Sequence, residues 1–447
     1  MHKNLTHSVH PIFREQATGW ELWKAAYFGG MSYVRQALRS HRLENGRDFS
    51  RRLSRATLLN YLRPICDTYA NYLFRPPWAI QVPAALSVML ADADRRGTGL
   101  LDFIKGLTPL TAAVGFSLIG VDEPTVSEGV APANLAEREA MGVRPYFYFI
   151  DPLDLRDWET DGEGRLVFAL VRERRNGRQF SGAEIAGRTH EVFRLWTPEE
   201  CRVIDGDGNV LARFENRVGE VPIVPLQFRD VGDPIIGQGL GQDLEPVQAH
   251  ILNVASLLSE ISYRQTFSQL VAEGSAEEYG ENGDIARLGT ASIFLYPEGR
   301  KAPGYISPDA SQAQMLMNEI DRSIDEIYRL ANLTRGSVRE GRQASGISKA
   351  FDFLDTNQAL SDVGRNVTQT MQKLLTLAAR WAGASESEVA VAPPADYGIV
   401  DLDGDISRLK DLVDAGADPS LLVALQHRIA ATMFPTGEAA KESEVSR

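Results

Sequence analysis

The chain has 447 residues, 43% of them hydrophobic and 24% charged, the make-up of a globular protein of two to three structural units. Its formal net charge of −13 excludes a protein that wraps duplex DNA through its overall charge. Two cysteines exclude a disulfide framework and fit a reduced compartment, and no apolar run reaches the roughly 18 residues of a membrane span.

The charge is uneven: residues 1–63 carry a net +7, so the remainder carries −20. M-H-K-N-L-T-H-S-V-H-P has no hydrophobic signal core, so the protein is expected to be kept soluble inside a cell, with residues 1–17 as a flexible arm. From Trp20 to Leu38 the pattern predicts helix, a turn at Gly29-Gly30, then helix. Residues 47–73 predict one more helix, kinked at Pro64 and ended by Phe74-Arg75-Pro76-Pro77. Two shorter helices follow near 84–96 and 99–114.

Residues 116–228 alternate polar and apolar side chains, with turn signals at Asp161-Gly162, Asn176-Gly177 and Asp207-Gly208. Strands are predicted near 116–121, 146–150, 165–174, 190–196, 201–205 and 210–215, with a loop or short helix over 123–142. This is a β-rich insertion on a helical base. Gly237-Gln238-Gly239-Leu240-Gly241 then reads as a hinge. Leu244, Val247, Ile251, Val254, Leu258 and Ile261 step by three or four, one face of a helix.

Residues 270–306 are short, strand-like and punctuated by Gly and Pro. The stretch from Ser307 to Gly383 organises the rest. Asp309 or Ser311 can cap a helix whose face is Ala313, Leu316, Ile320, Ile324, Ile327 and Ala331. A polar loop spans 332–346. A second pattern repeats the spacing through Ile347, Phe351, Leu354, Leu360, Val363, Val367, Met371, Leu374, Ala378 and Trp381, and Gly383 stops it. Unbroken, that helix is roughly 50 Å long at about 1.5 Å per residue. It lacks strict heptads, so it is expected to be a domain spine. A Pro-Pro linker at 393–394, helices near 405–415 and 419–432, and a disordered tail complete the chain.

No motif for a reaction stands out. The histidines match no zinc spacing. The glycine run is G-x-G-x-G without a following Lys-Ser or Lys-Thr, so it is not a phosphate loop. Asp205-Gly206-Asp207-Gly208-Asn209 resembles the start of a calcium loop, but Val210 and Asn216 stand where glycine and glutamate are needed, so a hairpin turn is the better reading. Asp401, Asp403 and Asp405 could gather a hard cation and equally cap a helix. No cofactor is implied. The 332–346 loop differs in kind: Arg335, Arg339 and Arg342 sit with Gly336 and Gly341, opposed by Glu340 alone. In a monomer it is a solvated connector; in a ring with the loop pointing inward it is a belt of cations.

In the order of its parts the chain resembles the portal proteins of tailed bacteriophages, from about Trp20 to Phe434. The first carrier is Gly30, Tyr33, Glu44, Arg52 and Asn60, followed by P-I-C-D-T-Y-A-N-Y-L-F-R-P-P. The second is the helix–β–helix–loop–long-helix series from Leu240 to Gly383. The third is A-S-G-I-S-K-A-F-D-F-L-D, Ala344–Asp355. The segment after Gly383 departs by being short. The resemblance implies an α+β portal-protein fold, a helical stem and long spine helix with a β-rich wing insertion and a small α/β clip. It divides the chain into a wing (1–239), a first stem helix (240–269), a clip (270–306), a second stem helix (307–331), a tunnel loop (332–346), a spine and crown (347–434) and a tail (435–447).

What the resemblance implies for function is a structural machine without a catalytic site. It is a twelve-subunit homo-oligomeric ring at one capsid vertex of the virion, assembled in the host cytoplasm. Its partners are the terminase large subunit, then the head–tail adaptor, with the major capsid and scaffolding proteins. Double-stranded DNA passes through without sequence readout, and no membrane is involved. Arg335, Arg339 and Arg342 become the channel contacts. Two other readings stand beside it. One is a different capsid-vertex component, such as a minor head or adaptor protein, against which the long spine speaks. The other is an enzyme acting on nucleic acid, which an acid cluster converging in the fold would favour.

Overall fold

A capping side chain followed by proline starts a helix. His10 Nδ1 accepts from the backbone N–H of Ile12 at 3.2 Å, and Pro11 opens helix α1, Pro11–Phe28. The flexible arm expected over 1–17 is therefore overturned from Pro11 onward in the computed structural model. The residues before it dock as well. His10 stacks on Trp158 with ring centroids 3.8 Å apart, its N–H donates to the Arg156 carbonyl, and the Ser8 hydroxyl donates to Asp157. The structure describes residues 5–124, 142–176, 179–181, 184–186, 189–266, 269–271, 304–306, 310–333, 346–394, 397, 402–416 and 418–433.

In chain order the further helices begin with α2 Gly30–Ala37, α3 Gly46–Arg55, α4 Leu62–Leu73, α5 Ser87–Ala91 and α6 Leu100–Val114. Then come α7 Gly241–Thr266, α8 Ala310–Leu330, α9 Gly346–Ala382, α10 Leu402–Asp414 and α11 Pro419–Met433. The strands start with β1 Ala79–Gln81, β2 Phe116–Asp122, β3 Tyr146–Ile150, β4 Leu155–Thr160 and β5 Leu166–Asn176. Next are β6 Gln179–Ser181, β7 Glu184–Ala186, β8 Thr189–Trp196, β9 Glu200–Asp205, β10 Val210–Glu215 and β11 Ile223–Gln227. The last are β12 Arg229–Asp230, β13 Gly237–Gln238, β14 Gln269–Val271, β15 Gly304–Ile306 and β16 Ala390–Ala392. Helices and antiparallel sheets together make an α+β chain.

The chain divides into two units. The larger comprises Met1–Gly29, Asn60–Pro246 and Ile327–Arg447. Its main sheet runs β10-β9-β8-β5-β4, and a second runs β11-β2-β3, all antiparallel. Their inner faces meet α1 in one core that includes Phe13, Trp20, Phe116, Trp158 and Trp196. Trp20 meets Phe116 edge to face at 5.0 Å between centroids. Strands β4 and β11 were not anticipated. Pro225 hides β11 in the sequence, because proline removes a ladder donor; β11 is an edge strand, where that loss is tolerated. The β9–β10 turn is the hairpin expected at Asp205: its carboxylate accepts from the backbone N–H groups of Asp207 and Asn209 and from Asn209 Nδ2.

Three local expectations fail for identifiable reasons. The single helix over 47–73 is two helices, α3 and α4, because the spacing breaks between them. Asn60 there donates to the carbonyls of Ala26 and Tyr27 at 3.2 and 3.1 Å. Pro64 lies in the first turn of α4, where an N–H would have no intrahelical partner, so it does not kink the helix. The helix expected near 84–96 is a short 3-10 turn followed by α5, which stops where Asp92 and Asp94 accept from the N–H groups of Gly97 and Arg96. The glycine run is a tight contact and not a hinge. A Cβ on Gly239 would lie 2.5 Å from Gly115 N and 2.7 Å from Ala113 O, and one on Gly241 2.4 Å from Ala113 O. Those neighbours are backbone, so only glycine lets the two chain segments approach this closely.

Helix α9 is the longest element among the described residues, 37 residues and about 55 Å at roughly 1.5 Å per residue. Of the face read from the sequence, Leu360, Val363, Val367, Met371, Leu374 and Ala378 are buried and Trp381 is half-buried, while the side chains of Ile347, Phe351 and Leu354 lie outside the described residues. Thr370 Oγ1 donates to the Pro225 carbonyl at 2.9 Å and ties α9 to β11.

The smaller unit comprises Gly30–Leu59 and Val247–Glu326. Tyr33, Val34, Ile251, Leu252 and Ile324 are buried in it. Its strands β14 and β15 pair antiparallel, Gln269 with Ile306 and Val271 with Gly304, and close the segment between α7 and α8. Arg52 is 4% exposed. Its Nε and Nη2 donate to Glu44 at 2.9 and 2.7 Å, Nη1 to Ser256 Oγ at 2.7 Å, and Nη2 also to the Arg39 carbonyl at 2.7 Å. The guanidinium holds the Glu44 carboxyl down at about 2.

Candidate functional site

Residues 334–345 carry the three arginines singled out above. Arg335, Arg339 and Arg342 lie outside the described residues, as do most of the expected clip, the 125–141 loop and the 434–447 tail. The described residues show how the chain is delivered into and out of 334–345.

Helix α8 ends on a defined cap. Asn332 has φ +50°, the left-handed region that asparagine tolerates best after glycine. The Asn332 N–H donates to the Arg329 carbonyl at 3.1 Å, and the Leu333 N–H to the Tyr328 carbonyl at 3.1 Å. That pair of bonds is the Schellman arrangement, which satisfies carbonyls left open at a helix C-terminus. Two side chains then fix the cap. The Tyr69 hydroxyl, from α4, donates to the Ala331 carbonyl at 2.7 Å. Thr356 Oγ1, from α9, donates to the Asn332 carbonyl at 2.7 Å. Burial pushes the Tyr69 phenol up to about 12, so it stays a neutral donor at physiological pH.

Beside this cap lies an open cleft of about 800 Å³. Tyr69, Phe228, Arg229, Asn332, Asp362 and Arg365 contribute to its wall. Tyr69 packs edge to face on Phe228 at 5.3 Å, and the Arg229 guanidinium sits 5.7 Å from the Phe228 ring centroid. Arg365 pairs with Asp362 on α9. The wall holds amides, two arginines and two aspartates, and no histidine or cysteine. Such a set can position a polar or anionic chain; it offers no nucleophile beside a base. Among the described residues no group of three His, Cys, Asp or Glu side chains gathers to hold a metal ion. None of the described helices is long and apolar enough to cross a membrane.

Of these residues, the sequence reading named the Asn332 loop boundary and the α9 face. It missed Tyr69 and Thr356 as anchors. Asn332 carried a signal, an asparagine just past the last periodic position of a helix. Tyr69 carried none, since its bond joins residues far apart in the chain.

No family model matches the sequence, and no curated protein matches it. Among solved structures, the chain is similar to a component of the virion of a native gene transfer agent particle, with TM-score 0.40, 13% identity, and 91% of this chain and 93% of that chain covered. It is also similar to a component of the neck of the native particle computed with C12 symmetry, with TM-score 0.38, 14% identity, and 80% and 89% covered. A component of the neck of the empty particle computed with C6 symmetry gives TM-score 0.38 and 14% identity at the same coverage.

Proposed function

We propose that this chain is a phage-type portal protein. Its copies form a ring at one capsid vertex, through which double-stranded DNA is packaged and ejected. The terminase motor and then the head–tail adaptor dock on the ring, which has no catalysis of its own. The observation that supports this reading is one continuous order of elements. Helix α7 leads to the β14–β15 pair, helix α8 returns, the arginine-bearing 334–345 segment follows, and the 37-residue α9 completes it. We read that order as stem, clip, stem, tunnel loop and spine. The exit of α8 is capped and anchored by Tyr69 and Thr356, which fixes where the arginine-bearing segment begins. The net charge of −13 per copy keeps such a channel from gripping phosphate along its length.

Negative-stain electron microscopy of the purified full chain tests this. The expected outcome is rings with a central hole. Monomers at every concentration, with no rings on adding capsid or scaffolding protein, would overturn it.

A further inference from the structure

Strand β4 ends the five-stranded sheet, so one of its sides has no neighbouring strand in that sheet. Open backbone groups along a sheet edge are a template for pairing with another chain, and proteins bend or cover such edges. β4 is bent. Its register against β5 shifts between Leu155 and Asp157, which leaves Arg156 as an extra residue outside the ladder. β4 is also covered, by the residues that precede α1. The His10 N–H donates to the carbonyl of that extra residue, Arg156, at 2.9 Å.

The covering segment wraps round the edge. Successive side chains of a strand point to opposite faces. Trp158 and its partner Ala169 lie in the core shared with α1, whereas Asp157 and its partner Leu170 face the other way. On that outer face Leu5 packs against Leu170, Phe193 and Ile204, and the Ser8 hydroxyl donates to Asp157. On the inner face Val9, Ile12 and Phe13 join the core. Between the two faces the His10 ring stacks on Trp158, and the Arg156 guanidinium lies 4.5 Å from the Phe13 ring centroid. Residues 5–10 therefore pass from one face of the sheet to the other across its open side.

His10 ties this segment to its own copy. The ring that stacks on Trp158 also caps α1, since Nδ1 accepts from the Ile12 N–H, and α1 packs on the inner face of the same sheet. Lending residues 5–10 to a neighbouring copy would break the cap or the stacking.

We propose that residues 5–10 are a guard strap on the β4 edge, and that what they exclude is a second copy of this chain pairing there, β4 against β4. Every folded copy carries the same edge, and a twofold axis across its open side sets two β4 strands antiparallel, the arrangement that pairs most readily. Such an isologous contact closes at two copies, so it would compete with any head-to-tail assembly. The strap goes beyond the ring reading and does not rest on it.

Cross-linking in the full chain tests it. Glu159→Cys places a thiol at an exposed position of β4, while both natural cysteines, Cys66 and Cys201, are buried. With the strap intact, a short bismaleimide is expected to leave this variant uncross-linked. Leu5→Asp/Ser8→Ala lifts the outer hold and keeps the His10 cap; deletion of residues 2–9 removes the strap short of His10. Each change, added to Glu159→Cys, should raise the dimer fraction at least tenfold. A synthetic peptide of residues 2–12 should return the deletion variant to the level of the intact chain. Far-UV circular dichroism follows the fold of each. Dimers with the strap intact, or none from either folded strap variant, would overturn the guard role. Association of the strap variants without cross-linking at the introduced thiol would overturn the β4 pairing. Loss of the folded spectrum in both strap variants would make residues 5–10 part of the core and overturn their reading as a strap.

Discussion

Arg52 shows how one buried charge can organise a segment. A guanidinium is costly to bury unless its donors are met, and here a carboxylate, a hydroxyl and a carbonyl meet them. Removing it leaves Glu44 without its partner, so Arg52→Ala should destabilise the smaller unit by about 3–5 kcal/mol, the cost of breaking a buried pair. The pair also sets a pH dependence. Glu44 is depressed from 4.5 to about 2, chiefly by its hydrogen bond to Arg52. A depressed carboxyl contributes stability that is fully present above its unfolded value and is lost as pH falls through its folded value. Denaturation followed from pH 6 down to about pH 2 should therefore show a component of stability lost below about 4.5. Glu44→Gln should lack that component. An identical acid profile in the variant would show that the pair does not couple to folding.

At the scale of elements, legibility tracked locality. The buried face of α9 was readable because its contacts recur every three or four residues along one helix, and its named positions from Leu360 to Ala378 are buried. Leu374, wholly buried in mid-helix, should cost about 2–5 kcal/mol when cut to alanine. Differential scanning calorimetry of Leu374→Ala against Lys373→Ala, its neighbour on the helix, checks this; equal melting temperatures would show that the face is not a core. What the sequence hid depends on distant partners. The break between α3 and α4 is stabilised by Asn60 reaching α1. Residues 8–10 are ordered by Trp158 and Asp157 in β4, itself unanticipated. The glycine run read as flexible because nothing in its own spelling announces Ala113 and Gly115 packed against it. At the site the same division holds. Asn332 announces the α8 cap, while Tyr69 and Thr356, which pin that cap, are separated from it by the fold.

For the whole molecule the distribution of charge carries the argument. The chain is acidic at −13, and in the proposed ring that charge would disfavour tight binding of phosphate. Against that background Arg335, Arg339 and Arg342 stand between two helices, in a segment with few apolar side chains. The α8 cap is held by Tyr69 and Thr356 and by its own backbone. Replacing all three with alanine should leave ring formation and the melting temperature nearly unchanged. It should weaken the contact with DNA, since guanidinium groups bind phosphate and read no bases. Each phosphate contact releases counterions, so the salt dependence of duplex binding by the rings should become shallower in the triple variant. The loss should be the same on duplexes of different sequence, and genome retention should fall in particles built with the variant. A triple variant that fails to fold would make the arginines structural partners instead. A variant that binds with an unchanged salt slope and retains full-length DNA would remove Arg335, Arg339 and Arg342 from the channel.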